Sequence, residues 1–185
     1  MGGKSVLLQS VCLSQAMCQY GFYVPASSAV VELCDGVVYI SGDKADAKGG
    51  LSSFAAEMLA VNRVVEQIAD GHKPLVAIDE LARTTNPVEG AAIVGAVVEY
   101  FSENRIRSLI ATHYGDVRCE CCRLSIRGLE CRQGDVVTKD NVQRYFNYQP
   151  EPVTTGEVPH EALRIATIIG VNRDITEKIE KLLTI

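Results

Sequence analysis

The 185-residue sequence predicts an α/β fold with a mainly parallel sheet, an added antiparallel β meander and a C-terminal helical pair. Leu75-Val76-Ala77-Ile78-Asp79-Glu80 is an apolar run entered through Pro74 and left at two acids, the pattern of a short strand buried on both faces of a parallel sheet. Such runs alternate with helical periods through the first part of the chain, as strand-loop-helix units with right-handed crossovers require. From Cys119 the period shortens into partly alternating segments, and two helical stretches close the chain.

The chain begins Met1-Gly2-Gly3-Lys4-Ser5, ahead of a helical period over residues 6–20. These five residues read as the second half of a phosphate loop, G-x-x-x-x-G-K-[ST], whose first glycine would fall upstream of Met1. Gly2 and Gly3 would let backbone amides approach phosphate, Lys4 would supply a point charge, and Ser5 could offer its hydroxyl to magnesium. The plainer alternative is a helix capped by Ser5. Residues 21–26 break the helix, and a short strand follows over residues 37–40. A polar loop with a glycine-rich end then leads to Ser52 and Ser53, either of which starts a helix reaching about Ala69. Ala55, Met58, Leu59, Val65 and Ile68 give that helix its expected buried face.

The acids of the 75–80 run emerge at the carboxyl end of the strand, where ligands sit in open α/β sheets. Asp79 is therefore the candidate magnesium ligand, and Glu80 the group facing an attacking water. A loop leads to a helix ending near Asn104, with Val94, Val97 and Phe101 on one side. A further apolar run over residues 107–111 ends at Thr112-His113-Tyr114, which puts His113 at a second strand end as a γ-phosphate sensor.

Residues 123–126, 129–133 and 142–148 are the segments of the meander, expected on the edge of the sheet. Helices follow over 161–169 and 174–183, the second capped by Asp174 with Glu177 three residues on. Cys119, Cys121, Cys122 and Cys131 follow C-x-C-C-x8-C, which lacks the paired C-x2-C of structural zinc sites and favours thiols over a metal.

The composition, 47% apolar and 22% charged, is that of a folded domain with a core. A net charge of −5 argues against a surface that holds nucleic acid by bulk electrostatics. With no run of about 18 apolar residues and no charged-then-apolar leader, the expectation is a soluble cytoplasmic protein with no membrane partner. Seven scattered cysteines fit a reducing compartment.

Taken together, the motifs resemble the ATPase domain of the MutS family, a branch of the ABC-type P-loop NTPases, over nearly the whole chain. Met1-Gly2-Gly3-Lys4-Ser5 is similar to the end of G-P-N-M-G-G-K-[ST], and residues 21–26 to G-x-[FY]-V-P-A. Residues 50–58 resemble G-x-S-T-F-x-x-E-M, residues 79–85 D-E-[LI]-G-R-G-T, and Ala111-Thr112-His113-Tyr114 matches A-T-H-Y. Ala82 and Thr84 replace two glycines of this pattern, and Glu89 stands in place of an aspartate.

The resemblance implies ATP and Mg2+ as cofactors. Gly2, Gly3, Lys4 and Ser5 would bind nucleotide, Asp79 and Ser5 would hold the metal, and Glu80 and His113 would be catalytic. Ser52 and Ser53 would reach the γ-phosphate held by the other subunit of a homodimer with composite sites. Residues 1–158 would form an ATPase domain lacking its first strand and half of its phosphate loop, and residues 159–185 a helical dimerisation segment. DNA would be touched only through domains upstream. The function expected is that of an ATPase module of a DNA mismatch repair-type protein. The alternatives are a diverged ATPase that remodels a protein partner, or a non-catalytic fragment.

Overall fold

Apolar periodicity through the first part of the chain resolves into α1 (Lys4–Gln19), β1 (Val37–Ser41), α2 (Ser53–Ala69), β2 (Leu75–Asp79), α3 (Pro87–Glu103) and β3 (Ser108–Ala111). Beyond these come β4 (Leu124–Leu129), a 3-10 turn (Val142–Tyr145), β5 (Phe146–Pro152), α4 (Glu161–Ile168) and α5 (Arg173–Leu183). The computed structural model describes residues 3–41, 53–132, 134–153 and 161–183. These gather into two compact units, one over Gly3–Cys121 and one from Cys122 onward. The boundary expected between residues 158 and 159 lies outside the described residues.

In the first unit β2 is the middle strand of a parallel sheet ordered β1-β2-β3. Every residue of β2 is buried, as its unbroken apolar run requires. Alternation along the strand divides the core into two faces. Val76 and Ile78 pack with Val61, Val64 and Ile68 of α2 and with Val94 and Phe101 of α3. Ala77 meets Leu8 and Cys12 of α1, and Ala111 joins them from β3. Small Ala77 and Ala111 therefore mark the side on which α1 lies close to the sheet.

The buried stripe of α2 is Glu57, Val61, Val64 and Ile68, the 4-3-4 spacing of one helical face. Leu59, expected inside, is 46% exposed because it falls off that row, while Met58 and Val65 flank it. The start of α3 is set by Asn86, whose Oδ1 accepts from the Val88 amide at 2.9 Å, and by Pro87 in the first turn. α1 begins at Lys4 behind Gly3, which has a left-handed φ of 71°, and no side chain caps it. Ser5 lies within the helix, so capping by Ser5 is not what starts it.

In the second unit, β4 and β5 form an antiparallel pair that makes a sheet of its own. This corrects the meander in two ways. Among the described residues, neither strand joins the edge of the parallel sheet, and the three expected segments make only two strands. Gly128, with φ 77°, reads in the sequence as a break; in the fold it lies at a register shift, and β4 runs on to Leu129. The opening of the 142–148 segment is spent on the 3-10 turn before β5 starts. The cap of α5 is also corrected: Asn172 Oδ1 accepts from the Asp174 amide at 2.8 Å. Glu177, expected to close a capping box, instead pairs with Arg173 Nε at 2.8 Å. Among the described residues no helix is long and apolar enough to cross a membrane.

Candidate active site

The carboxyl ends of β2 and β3 lie side by side, because the register pairs Asp79 with Ala111. Asp79 ends β2 at 9% exposure, and its Oδ2 accepts from the Tyr39 hydroxyl at 3.0 Å. Its Oδ1 is buried with no hydrogen-bond partner among the described residues. An unpartnered carboxylate oxygen in that position costs free energy unless a cation or donor meets it. A hard, oxygen-seeking ion such as magnesium suits the donor set. Burial raises the Tyr39 pKa; the Gln9 hydrogen bond opposes that effect and the neighbouring Asp79 adds to it. The phenol therefore stays protonated and remains a donor.

Glu80 follows with a φ of 57°, which turns the chain out of the strand, and its amide donates to the Ala111 carbonyl at 3.0 Å. Its half-exposed carboxylate lies 3.4 Å from Arg83 Nη1. Two residues on, Ala82 is fully buried with a φ of 60°. A side chain in the left-handed region is strained and persists only where its surroundings fix it. Two bonds do so here. The Ala82 amide donates to Glu57 Oε2 at 2.8 Å, and its carbonyl accepts from the Tyr114 hydroxyl at 2.6 Å. Gly90 makes room for that tyrosine, since a Cβ there would stand 2.3 Å from the Tyr114 hydroxyl.

Lys4 reaches this end of the sheet as well, its Nζ donating to the Thr112 carbonyl at 3.1 Å, one residue beyond the partner of Asp79. Ser5 is exposed in the first turn of α1. His113 is exposed, with its ring 4.2 Å from that of Tyr114 and inclined 40° to it. Among the described residues it makes no hydrogen bond to Lys4, Asp79 or Glu80. Ser53 Oγ lies 3.3 Å from Thr84 Oγ1, and Thr85 Oγ1 donates to Glu89 at 3.4 Å. Gly2 and Ser52 lie outside the described residues. Cys119 Sγ and Cys121 Sγ are 3.6 Å apart.

The fold thus brings Lys4, Asp79 and Glu80 to adjoining strand ends, with His113 two residues beyond the end of β3 and Ser53 at the first turn of α2, against Thr84. Sequence reasoning assigned no role to Tyr39, Glu57 or Tyr114. An acid on an otherwise apolar helical stripe was a usable signal for Glu57. Nothing in the local pattern pointed to Tyr39.

Residues 1–184 match MutS domain V. The DNA mismatch repair protein MutS of Clostridium beijerinckii is 38% identical over 120 residues, covering 63% of this chain and 13% of that protein. Its counterpart in Clostridium tetani is 36% identical over 120 residues, with the same two shares. A MutS of Clostridium botulinum strain Hall is 30% identical over 183 residues, 97% of this chain and 17% of that protein. The chain therefore spans less than a fifth of the length of these relatives. With a match running from residue 1 to residue 184, the chain belongs to the MutS domain V family.

Proposed function

We propose that the chain binds and hydrolyses ATP as the ATPase module of a MutS-like DNA mismatch repair protein. The observation that supports this most directly is the buried, unpartnered Oδ1 of Asp79 at the strand end that also carries Glu80 and receives Lys4. Phosphoryl transfer asks a protein for positioning and charge neutralisation more than for covalent chemistry. Lys4, held on the Thr112 carbonyl, would exchange that acceptor for phosphate oxygens. Gly3 and Gly2 would present backbone amides beside it. Asp79 and Ser5 would hold magnesium, which supplies neutralisation of phosphate charge when bound.

Glu80, turned outward by its positive φ and open to solvent, would orient or deprotonate the attacking water. Its contact with Arg83 Nη1, 3.4 Å away, would give way as the carboxylate takes a water. His113 would sense the γ-phosphate. Ser52 and Ser53 would complete the site of a partner subunit in a homodimer, and DNA would be held by domains other than this one. Glu80→Gln should keep nucleotide affinity and lower single-turnover hydrolysis on the order of a hundredfold or more. Unchanged turnover would remove Glu80 from this role.

A second reading, remodelling of a protein partner by a diverged family member, draws on the loop after Glu80. There Ala82 keeps a left-handed conformation without glycine, and Thr84 meets Ser53. Affinity of the whole protein for mismatched over matched duplex DNA separates the two; no preference would favour remodelling.

A further inference from the structure

We infer that Tyr39 is the positioning residue of the metal-binding carboxylate: its hydroxyl ties down one oxygen of Asp79 and leaves the other directed to a divalent cation. The inference rests on the nucleotide-site reading above and adds to it a residue outside every motif that supports that reading.

The placement follows from the register of the sheet. Tyr39 pairs with Ala77 and Ser41 with Asp79, so Tyr39 and Asp79 are diagonal neighbours on one face of adjacent parallel strands. A tyrosine is long enough to span such a diagonal, and the hydroxyl stands 3.0 Å from Oδ2. Its ring packs against the cluster of Leu8, Cys12, Ala77 and Ala111, which holds the hydroxyl in place. Gln9 of α1 donates to the same hydroxyl from 3.4 Å. A phenol has one proton to give. With Gln9 as the donor on one side, that proton is committed to Asp79.

The second bond of a carboxylate side chain is a broad, roughly two-fold torsion. Without an anchor both oxygens exchange places, and a cation must order the group as it binds. With Oδ2 anchored, the torsion is fixed before the cation arrives, and Oδ1 is the oxygen that remains without a partner. The contact also links Asp79 to α1, the helix whose first residue is Lys4, through Gln9 and Tyr39.

Manganese serves as the probe, its uptake by the chain followed by electron paramagnetic resonance at fixed ADP, with ADP affinity measured separately in EDTA. Tyr39→Phe keeps the ring and its packing; it should weaken Mn2+ binding roughly 10- to 100-fold, the range for losing an outer partner of a ligand, and leave metal-free ADP affinity unchanged. Asp79→Asn should abolish the ADP-dependent uptake. Wild-type Mn2+ affinity in Tyr39→Phe alongside loss in Asp79→Asn would overturn the role of Tyr39 while the site stands. An equal fall in metal-free ADP affinity would make Tyr39 merely structural and overturn it too. Equal Mn2+ uptake by wild type and Asp79→Asn, or none by the wild type, would overturn the site reading and this inference together.

Discussion

Ala82 occupies a backbone conformation that glycine takes freely and other residues take at a cost, and the bonds from Glu57 and Tyr114 are what hold it there. Removing Glu57 leaves a buried amide unpaired, so Glu57→Ala should lower the free energy of unfolding by about 1–3 kcal/mol in urea titration. Glu57→Gln retains an acceptor oxygen and should lose less than half as much. Tyr114 adds a pH dependence. Burial first, and the charge of Glu57 second, raise its pKa above 10.0 in the folded state. The unfolded tyrosine therefore ionises first, so this contribution is intact below about pH 10 and fades as pH rises through the folded value. Tyr114→Phe should flatten the alkaline limb of the stability profile, and an unchanged limb would refute the assignment. At this scale the sequence disclosed residues that end strands and concealed those that act across the chain. Asp79 and Glu80 were legible because an apolar run stops at them. Tyr39 was not, because its partner lies 40 positions away and only the folded sheet brings them together; Glu57 stood out as an acid on an apolar stripe, but its partner, 25 positions on, did not.

The elements of the first unit were read closely because each carries one dominant period. The 75–79 run became β2, and the predicted buried side of α3 holds Val94 and Phe101. Errors came where two rules competed. Gly128 punctuates the sequence like a turn, yet at a bulge its positive φ lets the strand continue. At α5 both Asn172 and Asp174 have the chemistry of a cap, and only the backbone decides which side chain faces a free amide. Asn172→Ala should cost about 1 kcal/mol in thermal unfolding. Asp174→Ala should cost less, retaining the cap and losing only a favourable charge in the first turn.

Across the whole molecule, order among motifs carried more information than any single motif, since each short pattern is common and their succession is not. What that order could not convey was that, among the described residues, β4 and β5 pair with each other, which depends on strand pairing rather than on composition. Ligand linkage gives a measurement at this scale. Magnesium with ADP at about a hundredfold excess over its dissociation constant should stabilise the chain by about 2.7 kcal/mol. EDTA or Asp79→Asn should remove most of the corresponding rise in melting temperature. An equal rise in Asp79→Asn would detach metal binding from that carboxylate.

The bond from Lys4 to the Thr112 carbonyl has a kinetic meaning. A free lysine side chain samples many rotamers, and immobilising it costs roughly 2 kcal/mol of entropy. Resting on a neutral oxygen at the strand end, this ammonium is already confined, so much of that loss precedes any encounter with nucleotide. On the proposed ATP-binding reading the carbonyl would act as a placeholder: arriving phosphate would swap one acceptor for a stronger one and need not search for a moving charge. Thr112 holds Lys4 through its backbone carbonyl, while its side-chain Oγ1 accepts from the Tyr114 amide at 3.1 Å and steadies the turn that presents that carbonyl.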